Sequence, residues 1–270
     1  MRVRGVPRKS GALFRAFPQH MAKTAEKNDR QAWLRGPRGS CSLPPAKQER
    51  IRRLVLLGAP GVGKGTQAEL LCGSLGTCQL STGDVFRAAK ALTPDELSPA
   101  LKAALDCMRR GELVPDDTVL AMVSERAGCL RCGGGFLLDG FPRTVPQAEA
   151  LERLLEKEGV KLDAVVSYEL PIEQVVARLS GRRTCGGCKT VFHVDARPPK
   201  RAGICDHCGA NLYQREDDRA ESIRVRMAAY VTSTAPLQEF YRRRGLLISI
   251  SAEGTPETIF GRTMDALGKC

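Results

Sequence analysis

Short apolar segments alternate along the chain with longer stretches in which apolar residues recur at helical spacing. The apolar segments lie at residues 54–57, 136–138, 164–166 and 246–250. Helical spacing occurs between such segments, for example at residues 144–157 and 173–179. Strands that alternate with helices favour a parallel sheet with helices on both faces. The pattern therefore predicts an α/β fold.

Two regions interrupt this alternation. Residues 81–114 have mostly helical spacing, whereas residues 181–218 are rich in Gly, Pro, Cys and Arg. The second region is too irregular to belong to the main core. We expect both regions to be insertions on the ligand side of the sheet.

The first 50 residues lack sustained apolar periodicity. They contain twelve Lys or Arg against three acidic residues, together with five prolines. This composition predicts that residues 1–50 are a basic, disordered extension outside the fold. The alternatives are an organelle transit peptide, a nucleic-acid-binding arm, or sequence upstream of a true start at Met21 or later. We favour an extension that is processed or has no function of its own.

Composition narrows the class of protein further. No apolar run approaches the roughly 20 residues that a membrane-spanning helix needs, so we expect no membrane association. The chain has 11 cysteines, an odd number, and no secretory signal, which argues against a disulfide framework. Four of these cysteines form two C-x-x-C pairs, so we expect a reducing compartment and a bound metal.

The most informative motif is the glycine-rich segment 58–66, GAPGVGKGT, between a predicted strand and a predicted helix. Its glycines let backbone N–H groups converge on phosphate oxygens, and Lys64 adds a full positive charge. An ordinary P-loop has Ser or Thr directly after the lysine, but here Gly65 precedes Thr66. The segment predicts a site for the polyphosphate of a nucleotide.

Four cysteines predict a zinc site. Cys185-x-x-Cys188 and Cys205-x-x-Cys208 are separated by sixteen residues, a spacing typical of two knuckles that bind tetrahedral Zn²⁺. Four thiolates leave no open coordination position, so the expected role is structural. We interpret the nearby His193 as an ordinary side chain rather than a ligand, and likewise His207 and the pair Cys129-x-x-Cys132.

The G-x-P-G-x-G-K-G-T form resembles the nucleoside monophosphate kinases, and four later motifs narrow the resemblance to adenylate kinase. In order, these are STGD at 81–84 with Arg87, GELVPD at 111–116, GFLLDGFPR at 135–143 with Gln147, and GRR at 181–183. The resemblance runs from about residue 53 to about residue 267. It implies a P-loop NTPase fold with a five-stranded parallel sheet flanked by helices.

The resemblance also implies a division of the chain. The core would comprise residues 51–80, 115–180 and 219–270. A helical AMP-binding insertion would occupy residues 81–114, and a lid carrying the zinc would occupy residues 181–218. The segment at residues 93–96 makes the insertion a few residues longer than the compact family pattern, which leaves the monophosphate preference open.

Carried over to matching positions, the family pattern implies two nucleotide sites and a place for Mg²⁺. The residues expected to bind ATP are Gly61, Val62, Gly63, Lys64, Gly65, Thr66, Arg182, Val191 and Phe192. The residues expected to bind AMP are Thr82, Arg87, Glu112, Leu113, Val114, Gly140, Phe141, Pro142, Arg143, Gln147, Arg215 and Arg226. Arg143 would bind the AMP phosphate and Gln147 the adenine. Asp139 would hold Mg²⁺ through water, with Asp84 as a weaker candidate.

The expected catalytic residues are Lys64 and four arginines, namely Arg143, Arg182, Arg215 and Arg226. The spacing of Arg178 and Arg182 predicts that they share one helix face, and a continuous helix would also align Arg215 with Arg226. Converging arginines suit a transferring phosphoryl group, whose charge is spread over three oxygens. No covalent nucleophile is required.

The expected reaction is MgATP + AMP ⇌ 2 ADP, catalysed by a monomer with ATP, AMP and ADP as its partners. One alternative is a related kinase that uses GTP or accepts another monophosphate. A nucleic-acid-binding protein is the alternative from a different class, but the basic extension offers few aromatic side chains for base stacking. We expect a cytoplasmic location, with a mitochondrial or plastid precursor as the alternative.

Overall fold

The computed structural model describes residues 31–35, 51–89 and 99–268 of the chain. In chain order its strands are β1 (Arg52–Gly58), β2 (Cys78–Ser81), β3 (Gly135–Asp139), β4 (Ala164–Glu169), β5 (Arg182–Cys185), β6 (Val191–His193), β7 (Leu212–Tyr213) and β8 (Leu247–Ser251). Five of them form a parallel sheet in the order β2-β3-β1-β4-β8. The predicted α/β fold with five parallel strands is confirmed.

The helices of the described residues alternate with these strands. They are α1 (Gln31–Arg35), α2 (Lys64–Leu75), α3 (Thr82–Ala89), α4 (Pro99–Arg110), α5 (Asp116–Ser124), α6 (Val145–Lys157), α7 (Ile172–Gly181), α8 (Ala220–Ala229), α9 (Pro236–Arg242) and α10 (Pro256–Gly268). Short 3₁₀ helices lie at Ala127–Arg131 and Glu216–Asp218, and a π-helix follows α8 at Tyr230–Thr234. Helix α6 begins where its sequence predicts, because the Thr144 hydroxyl accepts a hydrogen bond from the Gln147 backbone N–H.

The central strand β1 shows why the sheet is covered on both faces. Val55 and Leu57 point to one apolar cluster, whereas Leu54 and Leu56 belong to the cluster on the opposite face. All four side chains are buried. Because successive side chains of a strand alternate between faces, a continuous apolar run is what a strand needs between two layers of helices.

Strand β2 is the one strand of the sheet that the apolar pattern did not indicate. It is four residues long and carries the polar Gln79 and Ser81, so it has no apolar run. Its pairing with β3 places it at the edge of the sheet. A short, polar edge strand is defined by its neighbour more than by its own sequence.

Helices α3 and α4 lie within residues 81–114, the region expected to be the first insertion, and residues 93–96, expected to lengthen it, lie outside the described residues. After α4 the chain turns at Gly111, whose φ of 83° and close approach to α8 favour glycine. A Cβ there would lie 2.5 Å from the Ser222 carbonyl oxygen.

Residues 181–218, the expected lid, are more regular than their composition suggests. Strands β5, β6 and β7 form a small antiparallel sheet in the order β6-β5-β7. Its buried apolar residues are Cys185, Phe192 and Cys205. Two of these three residues belong to the C-x-x-C pairs, so the cysteines themselves form most of the lid interior.

The expectation that residues 1–50 all lie outside the fold is wrong for residues 31–35. These residues form helix α1, and the Trp33 side chain is 1% exposed within the main apolar cluster. The indole is large enough to gain substantial free energy by burial despite its basic, proline-rich surroundings. The remainder of the predicted extension lies outside the described residues.

Candidate active site

The glycine-rich segment joins β1 to α2 at the carboxyl edge of the sheet. Gly63 directly precedes α2 and has a φ of 110°, a conformation that glycine adopts without strain. The Lys64 ammonium donates hydrogen bonds to the carbonyl oxygens of Gly58 at 2.7 Å and Ala59 at 2.9 Å. The lysine therefore lies against its own loop, with its charge at the start of the helix.

The pKa of Lys64 shows which charges surround it. Burial lowers this pKa to about 8, and the nearby Asp139 carboxylate partly opposes the shift. The guanidinium groups of Arg143, Arg226 and Arg182 lower the pKa further because they repel the ammonium. The structure thus brings the loop lysine within electrostatic range of arginines from three separate parts of the chain.

The predicted acceptor residues meet at the loop after β3. The Thr82 hydroxyl donates to the Gly140 carbonyl oxygen at 3.0 Å, and Arg143 Nε donates to the same oxygen at 2.8 Å. Arg87 forms an ion pair with Asp84, so the carboxylate considered as a second magnesium ligand is already paired. These contacts join α3 to the loop after β3.

Gln147 is buried and has polar partners at both ends of its amide. Its Oε1 accepts from the Arg143 backbone N–H at 2.8 Å, and its Nε2 donates to Asp116 Oδ1 at 2.6 Å. Asp116 also accepts a hydrogen bond from Thr144. An amide also has a second lone pair and a second N–H beyond these contacts.

Three of the predicted arginines surround two aspartates that sequence reasoning did not assign. Arg182 donates two hydrogen bonds to Asp218, at 2.7 and 2.5 Å, and Arg215 donates two to Asp217, at 2.9 and 2.6 Å. Arg226 lies 3.1 Å from a carboxylate oxygen of each aspartate. The available signal was the position of these two acids, two and three residues after Arg215.

Burial by itself would raise the pKa of Asp217, but Arg226 and Arg215 hold it well below its usual range. Burial lowers the pKa of Arg226 to about 10, a value at which the side chain is still charged at neutral pH. The cluster therefore holds three cations and two anions in a partly buried space. Its net positive charge suits an anionic ligand.

Two expectations about the arginines are wrong. Helix α7 ends at Gly181, so Arg178 and Arg182 do not share a helix face. Arg178 instead donates to the carbonyl oxygens of Val62 at 3.2 Å and Ala252 at 3.0 Å. Arg215 precedes a 3₁₀ helix, so no continuous helix joins it to Arg226. The latter two arginines still converge, because both contact Asp217.

The other predicted nucleotide-binding residues have mixed surroundings. Phe141 and Val114 are buried in the main apolar cluster, and Glu112 is exposed in an ion pair with Arg110. The Phe192 ring is buried in the lid, with the Arg197 guanidinium 5.9 Å from its centroid. That ring cannot stack on a base, so any nucleotide contact of Phe192 involves its backbone.

The four lid cysteines lie together. Their sulfur atoms are all within 4.8 Å of one another, with Cys185 Sγ 3.4 Å from Cys208 Sγ and Cys188 Sγ 3.5 Å from Cys205 Sγ. A tetrahedral zinc–thiolate centre with Zn–S of about 2.3 Å places its sulfurs about 3.8 Å apart. The sulfur positions therefore fit a zinc ion.

Comparison with known proteins agrees with the geometry. The sequence model of the adenylate kinase family matches residues 56–246. The chain belongs to the adenylate kinase family. The adenylate kinase of Carboxydothermus hydrogenoformans is 47% identical over 218 residues, which cover 80% of this chain and 100% of the relative. That of Anaeromyxobacter dehalogenans is 50% identical over 216 residues, covering 80% and 99%.

A third adenylate kinase, from Streptomyces avermitilis, is 49% identical over 216 residues, covering 80% of this chain and 96% of the relative. The resemblance inferred from the ordered motifs is thus confirmed, as is the prediction of a nucleoside monophosphate kinase. The activity of this adenylate kinase is reversible phosphoryl transfer, ATP + AMP ⇌ 2 ADP. No helix in the described parts of the chain has the length and apolarity for crossing a membrane.

Proposed function

We propose that Lys64 and the loop amides hold the donor phosphates, and that Thr82, Arg87 and Arg143 hold AMP. The observation that carries this assignment is the electrostatic convergence of Lys64 with Arg143, Arg182 and Arg226. These residues lie far apart in sequence, and apolar packing alone would separate such like charges. Their proximity is explained by a polyanionic ligand that they share.

The catalytic contribution of these residues is positioning and charge stabilisation. In-line transfer needs the two nucleotides aligned and the charge on the transferring phosphoryl group balanced. Arg182, Arg215 and Arg226 are held by Asp217 and Asp218, which keep the guanidinium groups in place before phosphates replace the carboxylates as partners. Closure of the lid then excludes water that would otherwise hydrolyse ATP.

Mg²⁺ fits beside Asp139, which lies at the end of β3 next to the phosphate-binding loop. Gln79 Nε2 lies 3.4 Å from Asp139 Oδ2 and orients this carboxylate. A cation held there through water would neutralise charge on the phosphates of ATP. The protein group that would hold this cation is the partly exposed carboxylate of Asp139, whose negative charge also acts on the Lys64 ammonium.

Zinc is the proposed metal of the lid, bound by Cys185, Cys188, Cys205 and Cys208. The close sulfur atoms and the near absence of other apolar groups in the lid interior support it. Four thiolate ligands complete a tetrahedral centre, which stabilises the fold of the lid and takes no part in the chemistry.

The division into core, AMP-binding insertion and lid also belongs to this proposal, as do a monomeric state and a cytoplasmic location. Gln147 would select adenine through its remaining donor and acceptor.

A nucleotide panel tests the proposal. With Mg²⁺, the purified full chain should form ADP from ATP and AMP, and kcat/KM should fall at least about tenfold when GMP, CMP or UMP replaces AMP. Replacing ATP with GTP in the same assay tests the base preference of the donor site. Equal rates with several monophosphates would contradict the role of Gln147, and absence of ADP formation would contradict the assigned site.

A further inference from the structure

Helix α1 contacts the acceptor side of the fold through Trp33. The indole is 1% exposed and lies in the apolar cluster that contains Val85 and Phe86 of α3. Its Nε1 donates a hydrogen bond of 2.9 Å to the Ser81 carbonyl oxygen. Ser81 ends β2 and directly precedes Thr82, so the indole is bonded to the residue from which α3 begins.

The backbone of the same tryptophan is bonded to a second element. Arg126 Nε donates to the Trp33 carbonyl oxygen at 2.7 Å, and Arg126 Nη1 donates to the Met122 carbonyl oxygen in α5 at 2.9 Å. The Arg126 side chain is only 10% exposed. Trp33 is therefore fixed at both ends, by Ser81 through its indole and by Arg126 through its carbonyl.

Helices α3 and α5, which Trp33 connects, both carry residues that belong to or support the proposed AMP site. Helix α3 carries Thr82 and Arg87, and α5 begins at Asp116, which binds the Gln147 amide. Strand β2 lies at the edge of the sheet, where only β3 pairs with it. The hydrogen bonds of Trp33 to Ser81 and Arg126 therefore add a connection between the start of α3 and the end of α5 that is not part of the sheet.

We propose that Trp33 is a positioning residue for AMP binding: it holds the start of α3 at the distance from α5 that the acceptor site requires. The proposal rests on the assignment of Thr82, Arg87 and Gln147 to AMP. Trp33 precedes the residues matched by the family, so this contact adds to the shared nucleotide sites and is no part of them. The proposed ATP site lies at the other loop, whereas the hydrogen bonds of Trp33 go to Ser81 and Arg126.

The test compares full-length Trp33→Ala, Trp33→Phe and Leu267→Ala. Leu267 is 2% exposed at the end of α10, away from α3, and provides a control that loses stability by cavity formation alone. We expect Trp33→Ala to raise KM for AMP about threefold to tenfold, as for a residue that couples to a site without touching its ligand. KM for ATP should change less than about twofold by the same reasoning.

Trp33→Phe keeps a buried ring but loses the N–H donor, so its KM for AMP should lie between those of wild type and Trp33→Ala. Leu267→Ala should lower the melting temperature without changing KM for AMP. Equal increases in both KM values, or a lower melting temperature with KM for AMP unchanged, would overturn the proposal. If Trp33→Ala does not fold, Arg126→Gln removes the second attachment and should give the same selective increase.

Fluorescence supplies a readout that does not depend on catalysis. Trp33 is the only tryptophan in the chain, so all indole emission reports this contact. AMP should change the emission intensity of the wild-type protein with saturation, and ATP alone should change it little. A solvent-exposed emission spectrum would overturn the proposal, even in an active enzyme. An inactive wild-type protein with buried indole emission that responds to no nucleotide would contradict the assigned AMP site instead.

Discussion

In the core, the strands β1, β3 and β4 lie between two layers of apolar side chains, whereas the buried apolar residues of the lid are Cys185, Phe192 and Cys205. The core can therefore be stabilised by apolar burial, and the lid cannot. This difference supports the proposal that Cys185, Cys188, Cys205 and Cys208 bind a structural metal in the lid. A metal ion can hold together a region that is too small for its own apolar core, and it leaves that region free to move as a unit.

The two regions also hold their charges differently. Lys64 rests against the carbonyl oxygens of its own loop, next to the rigid strand β1. Arg182, at the start of the lid, is held by Asp218 just beyond the lid strands. The core therefore holds the charge of Lys64 in a fixed position for the donor phosphates. Arg182, by contrast, must exchange the Asp218 carboxylate for phosphate. Each region can therefore be disturbed separately.

The largest effect is expected in the core. Lys64→Ala should lower kcat/KM at least about 10²-fold, because it removes a preorganised charge that stabilises the transferring phosphoryl group. The melting temperature should change little, since the side chain contributes no apolar packing. Steady-state kinetics and thermal unfolding measure both. The exposed Lys157 of α6 provides the matched control, and Lys157→Ala should leave both quantities unchanged; a loss below threefold in Lys64→Ala would refute its role.

An intermediate effect is expected in the lid. Metal analysis of the wild type should find about one zinc per chain, and Cys185→Ser should lose the metal and about tenfold or more in kcat, as for other altered metal sites. Limited proteolysis should then cut within the lid while the core resists. Cys129→Ser changes a half-buried cysteine outside the lid and should retain both metal and activity.

This experiment also bears on the contrast between the regions. If Cys185→Ser makes core and lid susceptible to protease together, the lid is not an independently stabilised unit. Wild-type protein without zinc would contradict the metal assignment itself.

The smallest effect is expected from pH. Because the pKa of Lys64 is about 8 and bound phosphates raise it, ATP binding takes up a proton above pH 8. Affinity for ATP should fall as the pH rises from 7, to about half of its pH 7 value by pH 8 and about a quarter by pH 8.5. Calorimetric titration in buffers of different ionisation enthalpy measures affinity and proton uptake together. Affinity that rises between pH 7 and 8.5 would show that another group dominates.

The sequence by itself determined the features of this protein that are formed by residues close together along the chain. The phosphate-binding loop follows from glycines and a lysine at fixed spacing between a strand and a helix. The sulfur cluster follows from two C-x-x-C pairs. The strands of the sheet interior follow from apolar runs, but β2 does not, because a short polar edge strand is specified by its pairing with β3.

Only the tertiary structure decided which distant residues meet. Asp217 and Asp218 have arginine partners because β5 and α8 bring Arg182 and Arg226 to them, and Arg178 bonds the donor loop because α7 packs against that loop. Composition did not predict that Trp33 is buried while the basic residues around it were expected to lie outside the fold. Its burial depends on a pocket formed by α3 and α5. Such contacts depend on how complete elements pack, and a pattern along the chain carries little information about packing across it.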